Sequence, residues 1–225
     1  VSILWILNLT NMSHYDTNLD KNNANYVPLS PLSFLERTKD IYPNYEAIVY
    51  ESRSYTWAEV YKRCVKFASA LEKIGIKTGD TVSIMAFNTP EIFEAHYSIP
   101  MVGAVINAIN TRLDAKTISY ILEHSDAKVL IIDRQFHEVI SKALVNVKTK
   151  ISIIDIDDKD AQIPNSMKIG EYEYEQFLNS GDEKEKVIRQ VAADWSYLLT
   201  TLVLEGMDEA QLKESLQEIV ANGDI

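Results

Sequence analysis

Four runs of β-forming, nearly uniformly apolar residues recur along this chain: Thr81–Ala86, Ala104–Ile109, Lys128–Asp133 and Ile151–Ile156. A strand with one wet face alternates apolar and polar residues. These runs do not, so they must be covered on both faces. Helical patterns separate them: one starts near Pro90, one is capped by Asp114 and carries Ile118, Ile121 and Leu122, and one covers Glu138–Val145. Strand, helix, strand in that order predicts an α/β fold, a parallel sheet with helices on both sides.

The region before the first run is also readable. Ser30 followed by Pro31 starts a helix that ends before Pro43, and Ala47–Tyr50 with Arg53–Tyr55 reads as a short hairpin. Thr56-Trp57-Ala58-Glu59 is a capping box, in which hydroxyl and carboxylate each take a free backbone N–H at a helix start. Val60, Cys64, Phe67, Ala68, Leu71 and Ile74 then recur at three- and four-residue steps, and Gly75 stands where a left-handed terminator is wanted. After the last strand, Tyr172–Leu178 predicts a short helix ending at Gly181, and Met207 to Val220 a separate amphipathic helix.

Charge divides the chain. Residues 1–154 hold 16 acidic and 16 basic side chains, whereas 155–225 hold 17 acidic and 6 basic, so the net charge of −11 lies wholly in the second part. Neither part has a basic patch interleaved with aromatics, which argues against nucleic acid as a partner. The longest near-continuous apolar run, Val1 to Leu9, is too short to span a bilayer and has no basic residue before it, so no membrane span is expected. A single cysteine, Cys64, excludes an internal disulfide framework and suits a reducing compartment, with the cytoplasm as the expected location.

Candidate chemistry is sparse. The seven glycines form no phosphate-cradling pattern, and Gly75-Ile76-Lys77-Thr78-Gly79 reads as a helix-to-strand connector rather than an anion-binding turn. The four histidines, His14, His96, His124 and His137, have no ligand spacing, so no metal site is expected. His96 reads as a packed histidine satisfied by a neighbour, and Cys64 as a small buried hydrophobe rather than a nucleophile. The acidic 155–190 stretch reads as a solvated face. The best functional candidate is Asn110-Thr111-Arg112-Leu113-Asp114, because loops at the carboxyl ends of parallel strands are where such sheets bind ligands. Its structural alternative has Asn110 and Arg112 bracing the loop while Asp114 caps a helix.

Together the pieces resemble the acyl-activating branch of the adenylate-forming enzymes, the acyl-CoA synthetases of the AMP-dependent synthetase and ligase family. The carriers run from about Tyr15 to Trp195: Ala24-Asn25-Tyr26-Val27-Pro28-Leu29-Ser30-Pro31-Leu32, Tyr55-Thr56-Trp57-Ala58-Glu59, Gly79-Asp80-Thr81-Val82, Asn88-Thr89-Pro90-Glu91, Gly103-Ala104-Val105 and Asn110-Thr111-Arg112-Leu113. The resemblance implies an N-terminal arm over residues 1–29, a partial adenylation domain over 30–195 and a tail outside the family over 196–225. It implies an acid–CoA ligase that joins a carboxylic or fatty acid to ATP, with magnesium, and passes the acyl group from the adenylate to coenzyme A.

In that family a glycine-rich phosphate loop beginning L-N-Y-T-S follows an Asp-Trp pair. Here Asp194-Trp195 is followed instead by Leu199-Thr200-Thr201-Leu202-Val203, the residues that a one-base shift in codons for L-N-Y-T-S would produce. A frameshift near Ser196–Leu199 is therefore expected. With the loop missing, the chain as written carries none of the family's catalytic, cofactor-binding or metal-binding residues. None of ATP, magnesium and coenzyme A is expected to bind it tightly, and it is expected to turn over nothing by itself. The rival expectation is a non-catalytic binding or assembly module built from the same subdomain.

Overall fold

The computed structural model describes residues 30–161 and 167–183. Within them, α1 (Pro31–Ile41) leads to the antiparallel hairpin β1 (Glu46–Tyr50) and β2 (Arg53–Thr56), then to α2 (Trp57–Lys73). An alternating series follows: β3 (Thr81–Met85), α3 (Pro90–Met101), β4 (Val105–Ala108), α4 (Ala115–His124), β5 (Ala127–Asp133), α5 (His137–Leu144) and β6 (Ser152–Ile156). It closes with β7 (Tyr172–Glu173) and α6 (Tyr174–Asn179). The five strands β4-β3-β5-β6-β7 form one sheet in that order, parallel throughout.

The unalternating strands do line two cores. Val82 and Ile84 of β3, Val129 and Ile131 of β5 and Ile154 of β6 face a cluster with Phe67 and Leu71 of α2, Ile99 of α3 and Phe177 of α6. Their neighbours Met85, Leu130 and Ile132 face Ile118 and Leu122 of α4 and Ile140 of α5. Each such side chain, fully buried, contributes about 1.5–3 kcal/mol relative to leaving it in water.

Helix α2 buries its recurring apolar positions on two sides. Phe67 and Leu71 face the sheet, but Val60, Cys64 and Ala68 face a third cluster with Leu32 and Leu35 of α1 and Ile48 and Tyr55 of the hairpin. The apolar positions are split because α2 is itself an inner layer, covered by α1 and the hairpin. Ile74 is at the helix end and is 36% exposed. The expected short helix at Tyr172–Leu178 starts two residues later, because Tyr172 and Glu173 pair with Ile154 and Asp155 as a fifth strand. The arm over 1–29, the Asp194-Trp195 pair, the expected frameshift point and the Met207–Val220 helix lie outside the described residues.

Local terminators behave as their chemistry requires. Ser30, Thr56 and Asp114 each accept a hydrogen bond from a backbone N–H of the helix they cap. Thr56 and Glu59 complete the reciprocal box, with Thr56 N donating to Glu59 Oε2 at 2.8 Å and Glu59 N to Thr56 Oγ1 at 3.3 Å. Thr56→Ala is therefore expected to cost about 1 kcal/mol, read as a shift in urea midpoint, while Thr56→Ser leaves it nearly unchanged.

Candidate functional site

Strand β3 is followed by α3, which packs on the sheet face shared with α2 and leads to β4. Strand β5, its neighbour on the other side, is followed by α5, which packs on the opposite face and leads to β6. The connections therefore part at the carboxyl ends of β3 and β5. A sheet of this kind opens its ligand crevice at that switch point.

Four loops meet along this rim. After β3 come Phe87, Asn88 and Thr89; after β4, Asn110–Asp114; after β5, Arg134–Phe136; after β6, Asp157–Asp160. The Phe87 ring is 43% exposed and lies 4.7 Å, centroid to centroid, from Phe136. In the 110–114 loop, Asn110 Oδ1 accepts from Arg112 N at 2.9 Å and Asp114 Oδ1 accepts from Thr117 N at 2.8 Å. The Thr117 side chain, and then its backbone N–H, hold the Asp114 carboxyl below its ordinary range. Asn110 and Asp114 thus serve the loop itself, as the structural alternative had it. Arg112 does not brace the loop with its side chain, which is exposed on the rim. An exposed aromatic ring and an exposed guanidinium on neighbouring loops can stack on a planar group and pair with an anion.

The other end of the rim is a charged network. Arg53 of β2 donates from Nη1 to Glu91 at 2.5 Å and from Nη2 to Asp158 at 3.4 Å, and Tyr50 donates its hydroxyl to Asp158 at 2.6 Å. Burial pushes the Tyr50 hydroxyl pKa up, and the Asp158 carboxylate pushes it further. Burial also pushes up the Asp133 carboxyl, against two hydrogen bonds from Gln135 at 3.0 Å. Arg134 pairs with Asp157 at 2.7 Å. Of these groups Arg53, Glu91, Arg134 and Asp157 border a cleft of about 630 Å³ that Tyr174 and Glu175 of α6 also line.

Glu91 meets Arg53 through Oε1 while its Oε2 is buried without a hydrogen-bond partner, and among the described residues no three His, Cys, Asp or Glu side chains group as a metal site. The described residues hold no glycine-rich loop either, so they fit neither a magnesium nor a triphosphate site. The expectation that the acidic stretch is solvated face fails at particular residues. Asp155 is fully buried and accepts from Gly170 N at 2.6 Å, the Asp158 side chain is 1% exposed, and Glu175 pairs with Arg63 of α2. Asp155 holds the Gly170 segment to β6, Asp158 ties the hairpin to the loop after β6 and Glu175 ties α6 to α2, and no local sequence pattern distinguishes such carboxylates from solvated ones.

The remaining candidates are structural. Gly75 and Gly79 adopt φ of +95° and +87° in the α2–β3 connector. Gly103, at φ +81°, lies against Thr78, where a Cβ would meet Oγ1 at 2.7 Å. The Nδ1 of half-buried His96 lies 2.7 Å from the Ile92 carbonyl oxygen. Cys64 is fully buried, and burial pushes its thiol pKa well up, which makes it inert as a nucleophile.

A family model described as AMP-binding enzyme matches residues 35–201. The chain belongs to that family. Among curated relatives, an acetate–CoA ligase of Humulus lupulus is 39% identical over 175 residues, covering 73% of this chain and 31% of the relative. A peroxisomal trans-cinnamate:CoA ligase of Petunia hybrida is 38% identical over 189 residues, 79% of this chain and 33% of the relative. A peroxisomal butyrate–CoA ligase of Arabidopsis thaliana is 42% identical over 164 residues, 71% of this chain and 28% of the relative. The chain thus spans about a third of the length of the curated relatives it matches. A solved anthranilate CoA ligase superposes on it with a TM-score of 0.64 at 21% identity, over 73% of this chain and 31% of that one, so the fold is shared. Among the described residues no helix is long and apolar enough to cross a membrane.

Proposed function

We propose that this chain is the N-terminal portion of an ATP-dependent acid–CoA ligase that activates a carboxylic acid as its acyl-adenylate and transfers the acyl group to coenzyme A. The family match over 35–201 carries the reading, and the similarity to ligases for acetate, cinnamate and butyrate supports it. Fatty-acid metabolism fits acetate and butyrate, whereas cinnamate is an aromatic acid. The 225 residues alone are inactive on this reading, because they hold no phosphate loop to bind ATP. Their own contribution is the switch-point rim. Since the ATP loop belongs to another part of the enzyme, the exposed Phe87 ring and Arg112 guanidinium serve the second nucleotide, the adenine and phosphates of coenzyme A.

The test uses a complete synthetase carrying this segment. It is expected to release pyrophosphate in an acid-dependent way and to form CoA thioesters, while the 225-residue chain forms neither. Arg112→Ala in that enzyme is expected to raise KM for coenzyme A about tenfold, the factor that 1.4 kcal/mol represents, and to leave KM for ATP unchanged. No turnover by the complete protein would favour the binding-module alternative instead. An unaltered KM for coenzyme A would remove the rim from the mechanism. The proposed location is a reducing compartment, with the cytoplasm and the peroxisome of the named plant relatives distinguished by imaging the tagged complete protein.

A further inference from the structure

Beside the α6 wall of the cleft, three helices are joined by one guanidinium. Arg63 of α2 donates to Glu94 of α3 from Nε at 2.5 Å and from Nη2 at 3.2 Å, and to Glu175 of α6 from Nη1 at 3.0 Å and Nη2 at 2.5 Å. Tyr174 of α6 donates its hydroxyl to the second Glu94 oxygen at 3.0 Å. The arrangement is lopsided in charge and in wetness. Two carboxylates share one cation, the Glu175 side chain is 43% exposed, and Glu94 is fully buried. The groups around Glu94 are Arg63 and Cys64 from α2, Tyr174 and Glu175 from α6, and Glu91 one turn back on α3, while the Tyr55 ring of β2 lies under Arg63. Among these only Arg63 is cationic.

We propose that this clasp is a proton-dependent latch on α6: the docked helix encloses Glu94 with too little positive charge for its carboxylate, so docking favours a proton there and α6 loosens as that proton is lost to solvent. The chain leaves α6 through Gly181, after which Asp182 pairs with Lys73 of α2 and Glu183 with Lys62 and Lys66, and the family match continues to residue 201. The latch therefore governs how firmly the exit of this subdomain is held on α2.

The direction follows from burial, the largest influence on Glu94, which pushes its pKa up from 4.5 to about 7 against the pull of Arg63 and Tyr174. A group whose docked pKa is raised gives stability that is complete below the undocked value and lost as pH rises to the docked one. Docking is thus tightest near pH 4.5, weakens up to about pH 7 and then levels.

Backbone hydrogen exchange of residues 175–180 in the full chain, corrected for intrinsic rates and referenced to α5 on the opposite sheet face, reads this directly. Protection is expected to fall about tenfold per pH unit between pH 5 and 7, with no such fall in α5. Glu94→Gln, which keeps the shape and one acceptor oxygen and cannot titrate, should flatten the profile. Tyr174→Phe, which removes a donor favouring the carboxylate, should extend the fall to higher pH. A wild-type profile without slope overturns the latch, as does an equal slope in Glu94→Gln. Should Glu94→Gln lose α5 protection and hence its fold, a Tyr174→Phe profile that does not move overturns it equally.

Discussion

Arg63→Ala is expected to destabilise the domain by about 3–5 kcal/mol, the cost of leaving a buried charge without its partner. The Arg63 side chain is 15% exposed and Glu94 fully buried, so water cannot replace the guanidinium at the carboxylate. Tyr174 would remain as the one donor at 3.0 Å, and the carboxyl would have to take up a proton to stay inside. The loss should therefore be larger at pH 8 than at pH 5. Urea unfolding of the wild type, Arg63→Ala, Glu94→Leu and the double variant measures it. The double variant is expected to recover much of the loss, because apolar replacement of both partners removes the stranded charge. A cost under 1 kcal/mol would place this clasp with ordinary exposed ion pairs.

Gly181→Ala is the second large effect, and its cause is steric. The position approaches α2 so closely that a Cβ would stand 1.9 Å from the Lys66 carbonyl oxygen and 2.8 Å from its carbon. These are backbone atoms of a helix packed on both sides, so they cannot swing away as a side-chain tip would. A loss of about 3 kcal/mol is expected, at the upper end for inserting one methyl group into a packed site. It should come with undocking of α6, which stacks Tyr174 on Phe67 at 4.6 Å. Near-ultraviolet circular dichroism should show the lost aromatic packing, and α6 amides should exchange faster than those of α5. Full retention of both signals would mean that the segment after α6 does not lie against α2.

Much of this architecture is written locally. The capping box at Thr56, the Pro-initiated α1 and α3, the glycine terminators and the unalternating strands each depend on residues within one element. Nearest-neighbour chemistry is enough to read them, and they sum to a parallel α/β sheet. The two-residue strand β7 escaped that reading because its only strand signal is a partner, β6, some 18 residues earlier. The clasp escaped for the same reason: Arg63, Glu94 and Glu175 are ordinary surface residue types, more than 30 and 80 positions apart. At the rim, the 110–114 loop was legible as a strand-end loop, but its companions were not. Phe87 and Phe136 meet because β3 and β5 are neighbours, and strand order is not a local property.

The residues by themselves determined every element but β7, the parallel sheet and membership of the adenylate-forming family, because propensity, capping and motif are short-range and additive. Tertiary structure alone decided which carboxylates are buried, which helix is an inner layer and where the switch point opens. Those depend on what lies across the fold from each residue, and burial turns the same glutamate side chain from a solvated charge into a proton-holding joint.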